Sequence, residues 1–235
     1  MALPKLDVPR YETVLPSTNK KLVYRPYLVK EEKILMLAME SNDQGQMIRA
    51  IKDIITSCTE GALDVNDMTM FDLEYMFAQL RAKSVGETSK VMLPCKNCEE
   101  KNEVDIDLSK VTVNVPNQKA KKVKLTNDVS LLLKYPSVND IEEIQSSGKS
   151  EVDTIFALIA ASIDSIYFND EVFDAKDQSK KELNDFIESL SSEQFNKIRA
   201  FIEDFPSVSA TASFDCSKCN THNELNIKGL NNFFG

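Results

Sequence analysis

Cys95-Lys96-Asn97-Cys98 is answered far downstream by Cys216-Ser217-Lys218-Cys219. The likeness continues past the thiols: Asn102, Glu103, Val104 and Ile106 follow the first pair at the same offsets as Asn223, Glu224, Leu225 and Ile227 follow the second. Alternating apolar and polar residues at 89–93 and 209–214 lead into the two pairs, and further alternation leads out. Each copy therefore predicts a strand, a tight turn and a returning strand. Two residues between thiols let a sharp turn aim both sulfurs at one point, and two such turns complete tetrahedral coordination with no position left for water. Cys95, Cys98, Cys216 and Cys219 are thus the candidate ligands of one structural Zn2+, which would tie a mid-chain hairpin to the C-terminal segment. The competing readings are a redox C-x-x-C, unligated thiols and an iron–sulfur cluster. The first suffers because neither pair opens a helix after a strand, and the last because matched hairpins suit a single ion.

With 42% hydrophobic and 28% charged residues, the 235-residue chain has the composition of an ordinary folded protein with length for one substantial core or two small ones. No apolar run approaches the ~18 residues that span a bilayer. Residues 1–7 lack the regions of a signal peptide. A cytoplasmic site of synthesis and no membrane partner are expected. Five cysteines, four of them in metal-like spacing, suit a reducing compartment better than a disulfide framework. A net charge of −9 argues against a nucleic-acid partner, since phosphate binding rests on clustered cations. A nucleic-acid-binding zinc ribbon is the remote alternative. The basic run 119–124 reads as an edge strand guarded by lysines.

The pattern divides the chain into five segments of one compact α+β domain. These are an extended arm and hairpin start (1–20), a helical segment (21–88), the first knuckle with a β-meander (89–136), a second helical segment with a hairpin at 166–173 (137–206), and the second knuckle with a tail (207–235). Turn formers Pro16, Ser17, Thr18 and Asn19 separate two alternating runs and predict a hairpin. Helical stripes follow: Ile34, Leu35, Ala38 and Met39; then Ile48, Ile51, Ile54, Ile55 and Cys58; then Met70, Leu73, Phe77 and Leu80. Their spacing makes Cys58 a core thiol. Alternation at 104–108, 111–115, 123–125 and 129–135 reads as an antiparallel meander. Val152, Ile155, Phe156, Ile159 and Ile163 predict a further helix, and Asn169-Asp170 a two-residue turn. Ser179 with Glu182 and Ser191 with Gln194 predict capping boxes.

Catalytic machinery is not visible. His222 is the sole histidine; it aligns with Lys101 and is expected to be exposed, so neither a Ser-His-Asp nor a Cys-His arrangement is expected. The six glycines form no phosphate loop, and no H-E-x-x-H or EF-hand motif occurs. Asp105 and Asp107 read as a solvated strand face. No enzymatic activity and no small-molecule substrate are expected. Residues 2–9 and Phe233-Phe234 carry apolar side chains without a local core and are expected to dock on partners.

Two stretches carry a resemblance: LPSTNKKLVYRPYLVKEEKILMLAMES at 15–41 and DLEYMFAQLRAKSVGE at 72–87. They resemble the baseplate hub subunit and hub assembly family of T4-like contractile-tailed bacteriophages, closely through the first C-x-x-C and in layout thereafter. The resemblance implies a protein of the tail baseplate hub, assembled in the host bacterial cytoplasm, located in the virion, and partnered by other hub or tail proteins. It leaves two roles open: a structural component, or a transient chaperone for hub or tape-measure proteins.

Overall fold

A computed structural model describes residues 6–41, 43–116, 121–148 and 150–229. The docking contacts expected of residues 2–5 and of Phe233-Phe234 lie outside the described residues, as do the first two positions of the basic run. The chain forms two compact units. One comprises the chain up to Val65, Phe71–Asn114 and everything from Ser207 onward; the other comprises Asn66–Met70 and Val115–Pro206.

The first unit opens with the expected hairpin, β1 (Tyr11–Val14) paired antiparallel with β2 (Lys21–Tyr24). Three helices follow: α1 (Val29–Glu40), α2 (Gln44–Cys58) and α3 (Met70–Ser84). The hairpin turn is held by a carboxylate that the local sequence does not reveal. Asp72 of α3, buried, accepts the Ser17 N–H at 3.0 Å and the Ser17 hydroxyl on its other oxygen. Asp43 caps α2 by accepting the Gly45 and Gln46 amides. α2 buries Ile51, Ile54, Ile55 and Cys58. Burial pushes the Cys58 thiol up to about 11, which keeps it protonated and inert.

α1 departs from its predicted stripe. Ala38 is buried, but Ile34 and Met39 are 44% and 48% exposed. The reason is electrostatic. Glu31 turns inward, where its carboxylate meets the Arg25 guanidinium at 2.9 Å and accepts the Leu28 N–H at 2.8 Å. Satisfying that ion pair rotates the helix so that Glu31, Leu35 and Ala38 face the protein. Burial alone would raise the Glu31 pKa, but the Arg25 and Leu28 hydrogen bonds outweigh it and hold the carboxyl below its usual value.

β3 (Thr88–Pro94) and β4 (Lys101–Asp107) form the first knuckle hairpin. β5 (Thr112–Val113) follows, and the chain then enters the second unit. There β6 (Lys121–Lys124), β7 (Val129–Leu133), β8 (Ile163–Phe168) and β9 (Glu171–Asp174) make a four-stranded antiparallel sheet in that order. The lysine-rich β6 is an edge strand of this sheet, as expected for its residues 121–124. α4 (Val138–Ser146) and α5 (Glu151–Ser162) lie between β7 and β8, and α6 (Lys180–Glu188) and α7 (Ser192–Glu203) follow β9. The Ser179–Glu182 and Ser191–Gln194 capping boxes form as expected, joined by a third at Ser137 and Asp140. The core gathers Leu131, Leu133, Ile159, Ile163, Ile187, Ile198 and Phe201 around the sheet.

Two expectations are corrected here. The predicted stripe from Val152 to Ile163 runs across an element boundary: α5 stops at Ser162, Ile163 already belongs to β8, and Val152 and Ile155 lie exposed. Helical and strand periodicities abut without a turn residue between them, so the apolar pattern reads through the junction. The meander expected across 104–135 is likewise not one sheet. β4 pairs with β3, β5 pairs with a strand from the far end of the chain, and only β6 and β7 continue into the four-stranded sheet. Alternation tells which face a residue takes, not which strand lies beside it.

The returning chain forms β10 (Val208–Asp215) and β11 (His222–Lys228), the second knuckle hairpin. β10 also pairs with β5, Val208 opposite Val113 and Ser209 opposite Thr112. Val91, Val104, Ile106, Ala210, Ala212 and Ile227 from the two hairpins share one core with Ala78 and Ala82 of α3.

Two substitutions test these assignments. Ile159→Ala should destabilise the second unit by about 2–5 kcal/mol, because it empties a fully buried position; urea denaturation followed by circular dichroism reads this. Glu31→Gln should cost about 3 kcal/mol at neutral pH by leaving Arg25 without its anion. The folded pKa of Glu31 is lowered, so the ion pair contributes fully above the ordinary glutamate range and is lost as pH falls through the folded value. The two proteins' stabilities should therefore converge in acid.

Candidate metal centre

The hairpin turns carry the cysteines in matching geometry. In the first, the Cys95 N–H donates to the Glu100 carbonyl at 2.9 Å and the Glu99 N–H to the Cys95 carbonyl at 3.0 Å. In the second, the Cys216 N–H donates to Thr221 at 3.0 Å and the Asn220 N–H to Cys216 at 2.9 Å. The residue after each second cysteine takes a left-handed conformation, Glu99 at φ 60° and Asn220 at φ 55°. Asparagine tolerates that region better than glutamate. These turns bring all four sulfurs within 4.8 Å of one another. Cys95 and Cys219 are 3.7 Å apart, Cys98 and Cys216 3.6 Å, and Cys98 and Cys219 3.4 Å. Such separations are far beyond a disulfide bond of about 2.05 Å. They lie close to the ~3.8 Å edge of a sulfur tetrahedron whose metal–sulfur bonds are about 2.3 Å. The residues present fit a four-coordinate soft cation and could hold one.

Two asparagines cross between the hairpins. Asn223 of β11 accepts the Lys96 N–H of the first turn at 2.9 Å and directs its amide nitrogen to Cys95 Sγ at 3.6 Å. Asn102 of β4 accepts the Ser217 N–H of the second turn at 2.8 Å and directs its own nitrogen to Cys216 Sγ at 3.7 Å. Each amide also donates to a carbonyl of its own turn, Asn223 to Thr221 at 2.7 Å and Asn102 to Glu100 at 2.8 Å. The two hairpins thus exchange equivalent contacts about an approximate two-fold. Both asparagines are buried, so no water would replace the lost bonds. The sequence displayed them as a recurrence four positions beyond each second cysteine but assigned them no role; their identical offset was the signal.

The sulfurs differ in their surroundings. Cys95 and Cys216 are buried, Cys98 and Cys219 partly exposed. The hydroxyl and amide of Thr221 draw the Cys219 thiol down to about 5, with the hydroxyl oxygen 3.2 Å from the sulfur. The Asn97 amide, 3.4 Å away, lowers Cys95. Cys98 goes the other way. Although the Glu100 amide favours its anion, the sulfurs of Cys219, Cys216 and Cys95, together with burial, push it up to about 12. Four sulfurs this close cannot all carry charge without a cation among them. Lys218, 3.2 Å from Glu100 across the two turns, adds an exposed ion pair.

The family of T4 bacteriophage base plate proteins matches residues 8–235, which takes in both hairpins and the whole second unit. The chain belongs to that family. This baseplate protein is 22% identical over 216 residues to the baseplate hub assembly protein gp26 of Enterobacteria phage T4, covering 92% of this chain and 93% of that one. No solved structure matches. The resemblance at 15–41 and 72–87 therefore extends through the second half of the chain.

His222 is exposed, as expected, yet one exclusion needs correction. Its Nδ1 lies 2.8 Å from Asp215 Oδ1 and its Nε2 3.4 Å from Ser213 Oγ, so a Ser-His-Asp line does exist on β10 and β11. The sequence reading missed it because the three residues come together only through the strand register, Asp215 opposite His222. Asp215 and His222 keep most of their side-chain surface in solvent, which leaves the line without the water-excluded setting that acyl transfer needs. Asp105 is exposed as expected, and Asp107 is paired with Lys110 at 2.8 Å.

Asn223→Ala should lower stability by about 1–3 kcal/mol by orphaning the Lys96 N–H. Asn102→Ala should cost a comparable amount through Ser217. Chemical denaturation of the two single variants and the double variant measures both, and the approximate two-fold requires the single effects to agree in size.

Proposed function

We propose that this baseplate protein is a structural or assembly piece of the phage tail hub, held rigid by one Zn2+ on Cys95, Cys98, Cys216 and Cys219, and acting by contact with other hub or tail proteins rather than by catalysis. The observation that carries the metal reading is the near-tetrahedral spacing of four sulfurs contributed by two hairpins distant in sequence. Four thiolates fill the coordination shell, so the ion would supply cross-linking and no Lewis-acid position. In zinc-finger peptides such a site is worth about 10 kcal/mol, comparable with the whole stability of a domain. The family match over residues 8–235 supports the place of action.

Elemental analysis of protein purified from zinc-containing medium should find one zinc per chain. Cys98→Ser with Cys219→Ser should abolish it, and a strong chelator should lower the thermal midpoint of wild type but not of the variant. Stoichiometric iron with visible thiolate charge-transfer bands, or no bound metal at all, would overturn the zinc assignment.

A second reading has its own support: the T4 relative is named a hub assembly protein. On that reading the chain guides hub or tape-measure proteins and leaves before the virion is complete. Quantitative mass spectrometry of purified particles and of hub intermediates separates the two. Copies in both identify a virion component, and copies confined to the intermediates identify a transient factor.

A further inference from the structure

The inward turn of Glu31 leaves a second face of α1 in solvent. At 3.6 residues per turn, Val29, Lys33, Met36, Leu37 and Glu40 share the side opposite Glu31, Leu35 and Ala38. Val29 is 79% exposed and Met36 and Leu37 are 57% exposed each. Apolar side chains of this size, adjacent along one helix, make a contiguous patch rather than scattered surface residues. Lys33 and Glu40 are also exposed, and they punctuate the patch with one charge of each sign.

The order of these residues is self-complementary. An antiparallel pairing of α1 with a second α1, about a two-fold axis between Met36 and Leu37, sets Met36 of each copy against Leu37 of the other. The same axis sets Lys33 against Glu40. The central apolar pair and the Lys33–Glu40 pair are each formed twice over, while Val29 reaches past the end of the partner helix. Such reciprocity is the requirement of an isologous interface. A parallel pairing in register would place Lys33 against Lys33 and Glu40 against Glu40, and like-charge contacts oppose it.

We propose that the solvent side of α1 is a self-association surface whose occupant is the α1 of a second copy of this chain, packed antiparallel with Met36 and Leu37 at its centre. This goes beyond the hub and zinc readings and depends on neither. A helix of 12 residues is about 18 Å long. Its face is smaller than that of a permanent dimer, so the association is concentration-dependent, weak at low micromolar protein and growing above it.

Sedimentation equilibrium of the full chain over micromolar to submillimolar concentrations tests the proposal, at low salt and at about 0.5 M salt, where exposed pairs are screened. A monomer–dimer equilibrium that weakens with salt is expected. Lys33→Glu and Glu40→Lys should each weaken it about tenfold or more, because each puts like charges together at two symmetry-related places. The combined Lys33→Glu, Glu40→Lys protein restores both pairs with the signs exchanged and should recover dimerisation to within about threefold. Leu37→Asp should abolish it. These positions are exposed, and unchanged circular dichroism and thermal midpoints separate a lost interface from a lost fold. A monomer at every concentration overturns the proposal, as does indifference to the single reversals or failure of the combined protein to recover. A chain that stays monomeric alone, and shows α1 protected from hydrogen exchange only when other baseplate proteins are added, assigns the surface to a different partner and overturns the second copy.

Discussion

Everything in the first unit depends on holding two hairpins together that are far apart along the chain. β3–β4 and β10–β11 each pair internally, and a two-stranded hairpin alone is marginal in water. What joins them is a shared apolar layer under α3, the reciprocal asparagine bonds, and four sulfurs within 4.8 Å. The polar part of this junction is directional. Asn102 and Asn223 each accept one backbone N–H of the opposite turn and point their amide at its first sulfur, so the two turns fit together in one register only.

That junction explains how the long segment Val115–Pro206 can be inserted in the sequence between β5 and β10. The chain leaves after β5 and returns at β10, and these strands pair side by side. The ends of the insertion are therefore held as neighbours by the sheet itself. The entropy of closing a loop grows only with the logarithm of its length, so an intervening folded unit adds little to the cost of bringing the knuckles together. The second unit meanwhile has its own core around Leu131, Leu133 and Ile159 and its own capped helices.

Charge placement shapes the surfaces as much as apolar burial does. The pairing of Glu31 with Arg25 decides which side of α1 meets the protein, and Asp72 decides where the β1–β2 turn is anchored. Both are buried carboxylates with specific donors; Glu31 overrides what periodicity alone would assign, and Asp72 anchors a turn that composition already placed. The consequence for α1 is an apolar strip in solvent. The Ser213–His222–Asp215 line makes the opposite point: residues brought together by strand register alone lie on an open strand face, with most of the His222 and Asp215 side-chain surface in solvent.

By itself the sequence determined the elements that rest on short-range rules. The two C-x-x-C hairpins, the Pro16–Asn19 and Asn169-Asp170 turns, the capping boxes at Ser179 and Ser191 and the apolar face of α2 through Cys58 all follow from spacings of a few residues, because turn and helix geometry is set by near neighbours. The recurrence of cysteines and asparagines also made the pairing of the knuckles legible, since repeated flanks imply repeated structure. Tertiary structure alone decided three things. It chose β10 rather than β4 or β6 as the partner of β5, it ended α5 at Ser162 inside an unbroken apolar pattern, and it turned α1 onto Glu31. In each case the deciding group lies distant in the chain or is a buried charge seeking its counter-ion. Periodicity records how apolar side chains are spaced; it carries no record of which strand or which arginine waits on the other side.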